Sequence, residues 1–133
     1  MAAGKGTRMK SALPKVLQRL AGRPLLDHVI ATTHELGAQS LVVITGHQAP
    51  EVEQAVQATW SALTIEFVRQ MPQLGTGHAM QQASPMLHDD ATVLVLSGDV
   101  PLTEADTLKR LIAASQGQHL ALLSVHLPDP SGY

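Results

Sequence analysis

The chain has no cysteine and, among its 133 residues, one Phe, one Trp and one Tyr. Without cysteine it can form neither a disulfide framework nor a thiolate metal site, as is typical of proteins from a reducing cytoplasm. So few aromatic residues cannot build a platform for stacking nucleic-acid bases, and a net charge of −2 provides no basic surface for a phosphate backbone. We therefore expect a cytoplasmic protein that does not bind nucleic acid.

Long hydrophobic runs are also lacking. The apolar runs are far shorter than the roughly 20 residues that a membrane helix needs, and no secretory signal is visible, so we expect no membrane association. The seven histidines are scattered without the paired helical spacing of a zinc site. Hydrophobic residues nevertheless make up 44% of the chain, which is enough for the core of one domain over residues 1–133.

The N-terminal segment is a loop of small residues with two well-spaced cations. Gly4 and Gly6 have no Cβ, so the backbone can turn sharply and direct N–H groups at an anion. The Arg8 guanidinium can grip two phosphate oxygens, whereas the Lys15 ammonium acts as a point charge beside one phosphate. The pattern predicts a binding site for a nucleoside triphosphate.

Two better-known phosphate loops do not fit this segment. A Walker loop requires Ser or Thr directly after Gly-Lys, but Gly6 follows Lys5. A dinucleotide fingerprint requires a third glycine where Met9 stands. An ordinary glycine turn with solvated cations is the remaining alternative, and the spacing of Arg8, Pro14 and Lys15 argues against it.

Short β-type runs alternate with helical patterns along the chain, which predicts an α/β sandwich with a mostly parallel sheet. Proline at a helix start and glycine after a helix end supply the boundaries. The predicted elements are a helix from Pro24 to Leu36, a strand at 41–45, a helix opened by Pro50, a strand at 63–67, a helix at 78–83, a strand at 92–96, a helix N-capped by Thr103 and a strand at 120–127.

Three loops should meet at the carboxyl edge of this sheet, where open α/β sheets bind their ligands. They are 4–8, 70–77 and 97–99. Mg²⁺ usually takes one or two carboxylates together with substrate phosphates, so Asp99 can serve as a single metal anchor. The alternative is that Asp99 forms a turn or caps a helix.

Gln70 and Gln73 are candidates for contacting a nucleotide base. A side-chain amide contains both a donor and an acceptor, and so does the edge of a pyrimidine. The alternative is that both are polar loop residues that face water.

Three ordered segments, 1–15, 70–79 and 97–102, closely resemble the sugar-phosphate nucleotidyltransferases, in particular the bacterial bifunctional uridyltransferase–acetyltransferases. The resemblance implies a Rossmann-like nucleotidyltransferase fold of the GT-A type, a three-layer sandwich. It implies Mg²⁺-dependent transfer of a uridylyl group from UTP to N-acetylglucosamine 1-phosphate, giving UDP-N-acetylglucosamine for cell-wall precursor synthesis.

The same resemblance implies roles for individual residues. Residues 1–4 would line the nucleotide, Arg8 would bind the outer phosphates and Lys15 the reacting phosphate. Asp99 would hold Mg²⁺, and Arg8, Lys15 and Asp99 would form the catalytic set. Together with the two glutamines considered above, the predicted nucleotide contacts are Met1, Ala2, Ala3, Gly4, Lys15, Gln70, Gln73, Gly75, Thr76, Ser97, Gly98 and Asp99.

The family pattern extends beyond both ends of this sequence. A family member has an apolar strand before the phosphate loop, further acceptor-binding residues after it, and a β-helix acetyltransferase domain through which the full-length protein forms a homotrimer. We therefore expect a domain truncated at both ends that binds nucleotide weakly and is a poor catalyst alone. The alternatives are a related nucleotidyltransferase for another base or acceptor, and a non-catalytic nucleotide-binding module.

Overall fold

The computed structural model describes residues 1–4, 6, 9, 11–129 and 131. A 3₁₀ turn, Lys15–Leu17, leads into a short hairpin, and helices and strands then alternate. In chain order the elements are β1 (Arg19–Leu20), β2 (Arg23–Pro24), α1 (Leu25–Glu35), β3 (Leu41–Thr45), α2 (Ala49–Thr59), β4 (Ile65–Arg69), α3 (Thr76–Ala83), a 3₁₀ turn at Ser84–Met86 and α4 (Ala105–Ser115).

The parallel pair β3 and β4 is the centre of the fold. Leu41 pairs with Ile65 and the register continues to Thr45 opposite Arg69, with α2 as the crossover between the two strands. The run Leu-Val-Val-Ile-Thr suits a strand buried on both faces, and the residues at its carboxyl end are all buried. The predicted α/β fold with a parallel sheet is confirmed.

Residues 1–3 lie alongside β3, outside the two-stranded sheet. The Ala2 N–H donates to the Ile44 carbonyl at 2.7 Å, which joins the segment to β3. On its other side, the Met1 amino group donates to the Leu96 carbonyl at 2.7 Å and the Gly98 N–H donates to the Met1 carbonyl at 2.8 Å. Residues 1–3 therefore lie between β3 and residues 96–98.

Two predicted strands are wrong, because residues 92–96 and 120–127 belong to no strand of the structure. A strand needs a neighbouring chain for its backbone hydrogen bonds, and apolar alternation alone does not provide one. Only the carboxyl end of 92–96 reaches Met1. Elsewhere a cleft of about 670 Å³ separates this segment from β3, and another of about 740 Å³ separates it from residues 118–123.

Two predicted helix starts are also corrected. Pro24 ends β2 and precedes α1, which begins at Leu25, and no cap comes from Thr103 because Glu104 is the N-cap residue of α4. The hairpin of β1 and β2 was not predicted. It turns through Ala21 and Gly22, both with positive φ (49° and 82°). Such a turn usually has Asn-Gly or Asp-Gly, so Ala-Gly did not predict a hairpin.

The core lies between the parallel strands and the helices that cover them. Ile30 of α1, Val52 and Val56 of α2 and Leu108 of α4 are each at most 1% exposed. The Trp60 indole N–H donates to the Asp27 carboxylate at 3.3 Å, so the polar groups at this boundary are paired. Among the described residues, no helix combines the length and apolar character needed to cross a membrane.

Candidate functional site

The extended segment 1–3 is the structural centre of the candidate site. Ala2 and Ala3 are buried, whereas Gly4 is exposed where the chain leaves the sheet. A Cβ at Gly98 would lie 2.9 Å from the Met1 carbonyl oxygen and 3.1 Å from Leu26 Cδ1, so only glycine permits this approach. The strand end at 97–99 is thereby held directly beside Met1.

Lys15 and Asp99, which are 84 positions apart, form the central ion pair of the site. Lys15 Nζ donates to Asp99 Oδ2 at 2.6 Å, and the two side chains are 40% and 32% exposed. Lys15 begins the 3₁₀ turn that follows the phosphate loop, and Asp99 follows the segment that hydrogen-bonds to Met1. The pair is open to solvent and available to a ligand.

The phosphate loop is described in part. Gly6 has a φ of 57°, and a Cβ there would lie 3.0 Å from the Lys15 Cβ, so the loop packs closely beside the lysine. The Met9 N–H donates to the Gly6 carbonyl at 2.9 Å, and Gln48 Nε2 donates to the Ala12 carbonyl at 2.9 Å. Arg8, predicted to bind the outer phosphates, lies outside the described residues.

Gln70 is held firmly at the end of β4. It is 3% exposed, and its backbone N–H donates to the Thr45 carbonyl at 2.8 Å. Its side-chain Nε2 donates to the Gly75 carbonyl at 2.8 Å and lies 3.2 Å from Nδ1 of His78. The amide nitrogen of Gln70 is therefore engaged within its own loop, and the oxygen remains as the group that Gln70 can offer to a base.

Gln73 joins the same loop to the central segment. Its Nε2 donates to the Ala3 carbonyl at 3.1 Å. A Cβ at Gly46 would lie 2.6 Å from that nitrogen and 2.8 Å from the Ala3 carbonyl oxygen, so the junction is tightly packed. Gln73 thus positions the loop against Ala3, a contact that its predicted role at the base did not include.

Gly75 and Thr76 stand at the start of α3. Gly75 has a φ of 92°, a conformation that favours glycine, and both residues are exposed. The first backbone N–H of α3 with a hydrogen bond to a helical carbonyl is that of Ala79, which donates to the Gly75 carbonyl at 3.2 Å. The preceding N–H groups and the helix dipole therefore favour an electronegative group at this point.

The structure brings the predicted loops together on one edge of the sheet. Residues 97–99 contact Met1, Gln73 contacts Ala3, and Lys15 reaches Asp99. Ser97 is exposed beside Asp99. Burial lowers the pKa of the Met1 amino group, and the nearby Asp99 carboxylate acts in the opposite direction.

Three residues of this edge were missed by sequence reasoning. Gly46 permits the close approach of Ala3 and Gln73, His78 contacts the Gln70 amide, and Gln82 contacts His78. The only available signal was the position of His78 within Gly-Thr-Gly-His-Ala, directly after the predicted base-contacting residues. The contacts of Gly46 with Ala3 and Gln73 join residues far apart in the sequence, so no local pattern predicts them.

The metal prediction rests on Asp99. Within the described ranges, no group of three or more His, Cys, Asp or Glu side chains could hold a metal ion. The residues still fit Mg²⁺, because this ion is often bound by one or two carboxylates and completed by phosphate oxygens and water. A site at Asp99 is therefore one that a bound triphosphate would complete.

Comparison with known proteins gives curated relatives over the full length of the chain. It is 63% identical over 133 residues to the protein from Paracidovorax citrulli named Bifunctional protein GlmU, and 55% identical to the protein of that name from Cellvibrio japonicus. These alignments cover 100% of this chain and 28% of each relative. The chain thus spans less than a third of the length of these relatives.

Solved structures agree on the fold. A nucleotidyl transferase from Methanothermobacter thermautotrophicus has a TM-score of 0.71 and 26% identity, over 84% of this chain and 54% of that one. A UDP-glucose pyrophosphorylase from Acinetobacter baumannii has a TM-score of 0.63 at 20% identity, over 88% of this chain and 51% of the other, and this likeness shows the fold alone.

The family model described as the MobA-like NTP transferase domain matches residues 1–128, and the chain therefore belongs to that nucleotidyltransferase family.

Proposed function

We propose that the chain is the nucleotide-binding part of a sugar-1-phosphate uridylyltransferase. The reaction would be attack by a phosphate oxygen of N-acetylglucosamine 1-phosphate on the α-phosphorus of UTP. The bond from that phosphorus to the bridging oxygen breaks, pyrophosphate leaves, and UDP-N-acetylglucosamine forms. The observation that carries the proposal is the Lys15–Asp99 pair, which places a cation and a carboxylate at 2.6 Å beside the phosphate loop.

The reaction needs no nucleophile from the protein. Its barrier arises from orienting two anionic reactants and from charge on the transferring phosphate, which preorganised cations lower. Lys15 would move from Asp99 to an oxygen of the reacting phosphate, and Arg8 would bind the outer phosphates. The exposed Gly4 backbone leaves room for the triphosphate to lie against the loop.

Asp99 would hold Mg²⁺ in this scheme. The ion, when bound, would supply positive charge that neutralises the triphosphate. With Asp99 holding the ion, the Lys15 ammonium would be available to an oxygen of the reacting phosphate. The two side chains are 40% and 32% exposed and can rearrange without opening the core.

The base would lie against the loop 70–77. Gln70 offers an oxygen because its amide nitrogen is engaged with Gly75, and a uracil ring has an N–H that can donate to such an oxygen. Gly75 and Thr76 would supply backbone contacts to the base and ribose at the start of α3. Ser97 and Gly98 would approach the ribose from the other side of Met1.

The whole-chain similarity to proteins named Bifunctional protein GlmU and the matching nucleotidyltransferase family support sugar-phosphate nucleotidyl transfer as the class of reaction. The full-length protein would act in the cytoplasm in cell-wall precursor synthesis and assemble as a homotrimer through a further domain. The acceptor sugar would be bound largely by residues outside the present sequence. Nucleotide binding is therefore the part of the proposed function that can be tested with this chain.

Calorimetric titration of the chain with UTP and Mg²⁺ tests the proposal. ATP, CTP and dTTP are titrated in parallel, together with Asp99→Ala and a matched control, Asp106→Ala, which removes the carboxylate from an exposed Lys–Asp pair on α4. We expect UTP to bind most tightly, and Asp99→Ala to weaken it roughly tenfold or more, the scale of a lost contact to a charged group. Asp106→Ala should bind like the parent chain. Preference for another triphosphate, or equal affinities for parent and Asp99→Ala, would contradict the assignment.

A further inference from the structure

His78 lies between two glutamine side chains at the start of α3. Its Nδ1 is 3.2 Å from Nε2 of Gln70, and its Nε2 is 3.2 Å from Nε2 of Gln82, one helical turn further along. The ring is partly buried, and Gln70 is 3% exposed. The imidazole is therefore held from both sides, and one of its neighbours has almost no access to water.

The proton positions in this cluster follow from the inventory of donors and acceptors. Gln70 Nε2 carries two hydrogens and donates one to the Gly75 carbonyl at 2.8 Å. The second points at His78 Nδ1, which must then accept and carry no proton. A neutral imidazole has one N–H, so it lies on Nε2. The Gln82 amide faces that nitrogen with its own Nε2 at 3.2 Å, so it must turn over to accept from the ring through its oxygen.

We infer that His78 is a positioning residue that, as the Nε2–H tautomer, locks the Gln70 amide so that it presents only its oxygen to the base. This inference rests on the proposed function, because it concerns which base the loop 70–77 selects. With both hydrogens engaged by Gly75 and His78, Gln70 can accept from the ring N–H of uracil or thymine. It cannot donate to the unprotonated ring nitrogen that cytosine has at the same place.

The burial of Gln70 makes the lock effective. In water an amide that lost one partner would turn to solvent, but a buried N–H left without a partner costs free energy. His78 removes that cost in one orientation only. If the amide turned over, its oxygen would face the Gly75 carbonyl and the unprotonated Nδ1, so three acceptors would meet.

The first test is a direct measurement of the tautomer. Long-range ¹H–¹⁵N spectra of the chain at pH 8 distinguish Nδ1–H from Nε2–H imidazoles, and the His78 signals are those missing from His78→Leu. We expect the Nε2–H form. An Nδ1–H form would overturn the inference without touching the proposed function.

The second test compares the ratio of UTP to CTP affinities at pH 8 in four proteins. These are the parent chain, His78→Leu, which removes the acceptor, His78→Asn, whose Oδ1 occupies the place of Nδ1, and His88→Leu as an exposed control. We expect His78→Leu to lower UTP affinity roughly tenfold, the cost of one unsatisfied buried N–H, and to bring the ratio towards one. His78→Asn and His88→Leu should keep the parent ratio within about threefold, a difference of well under 1 kcal/mol.

The outcomes separate the two proposals. If the parent selects UTP and His78→Leu keeps that ratio while remaining folded by circular dichroism, the positioning role is wrong and the proposed function stands. If the parent binds no nucleoside triphosphate, the proposed function fails, and the base-selection role fails with it. Loss of the ratio in both His78 variants would show that size rather than the acceptor matters, and would also overturn the inference.

Discussion

At the scale of single residues, the candidate site depends on two side chains whose charges balance in the ligand-free protein. Lys15 is held 2.6 Å from Asp99, so neither charge is left isolated. Both side chains are at least 30% exposed, and an exposed pair of this kind contributes little to stability. We therefore propose that its placement beside the predicted phosphate loop, 4–8, serves ligand binding.

Replacing Lys15 by alanine should lower turnover of the full-length enzyme by roughly a hundredfold or more, the scale seen when one preorganised charge contact is removed. The midpoint of thermal unfolding should hardly change, because the pair is exposed. Steady-state assays of pyrophosphate release with saturating substrates measure the effect. Lys109→Ala, which removes a cation from an exposed pair on α4, is the control and should behave like the parent. Turnover of Lys15→Ala within a few-fold of the parent would exclude Lys15 from the mechanism.

At the scale of elements, buried contacts between loop and strand ends keep the edge of the sheet in place. Gly46 and Gly98 allow backbone approaches that any Cβ would block at less than 3 Å. On the same edge, Glu53 of α2 receives both Arg69 at the end of β4 (2.9 and 2.7 Å) and the hydroxyl of Thr45 at the end of β3 (2.8 Å). One carboxylate therefore ties the crossover helix to both strands.

The contribution of Glu53 should depend on pH. Its hydrogen bond from Arg69 lowers the pKa of Glu53 below the ordinary value of 4.5, burial acts in the opposite direction, and the Thr45 hydroxyl lowers it further. Because the folded state has the lower pKa, the stabilisation is fully present above pH 4.5 and is lost as the pH falls through the folded value. Glu53→Gln should therefore unfold at a lower temperature than the parent at pH 7, and the difference should shrink below pH 4.

Thermal unfolding followed by circular dichroism at pH 7 and at pH 3 measures this difference between Glu53→Gln and the parent. Glu66→Gln changes an exposed carboxylate on β4 in the same way and should show little difference from the parent at either pH. A Glu53→Gln difference that is the same at pH 7 and at pH 3 would mean that the charge of Glu53 does not matter.

At the scale of the whole molecule, both faces of the sheet are packed, whereas the segment from 120 to 125 is not. Ile30, Val52 and Val56 are almost fully buried between α1, α2 and the strands. By contrast, the segment from 120 to 125 carries large apolar side chains with most of their surface exposed, namely Leu120 (88%), Leu122 (78%), Leu123 (60%) and Val125 (75%). Contiguous exposed apolar surface of this kind promotes association.

The double variant Leu120→Ser, Leu122→Ser should therefore associate less than the parent chain. Both side chains are mainly exposed to water, so the urea midpoint of unfolding should equal that of the parent within error. The comparison variant Leu108→Ala changes a side chain that is 1% exposed, and its unfolding free energy should fall by about 2–5 kcal/mol. Sedimentation velocity over a range of concentrations measures the association. Unchanged self-association in the double variant would show that the chain does not associate through Leu120 and Leu122.

Much of the fold was predictable because it is encoded by local patterns. The run 41–45 and the helices that begin near Pro24 and Pro50 follow from hydrophobic period and proline position, and the structure has them within one or two residues. The run 92–96 has the same β-type residues, but a strand also requires a neighbouring strand for its backbone hydrogen bonds. The residues of the run itself do not indicate whether such a neighbour is present. The same argument explains the error at 120–127.

The sequence by itself determined the glycine-rich loop 4–8, the alternation of β3 and β4 with the helices around them, and the positions of Lys15, Gln70 and Asp99, because glycine spacing, residue chemistry and periodicity act over short distances. Only the tertiary structure decided that Lys15 reaches Asp99, that Gln73 holds Ala3, and that His78 engages the Gln70 amide. These contacts join residues 8 to 84 positions apart, and they exist only once parallel strands bring their carboxyl ends to one edge.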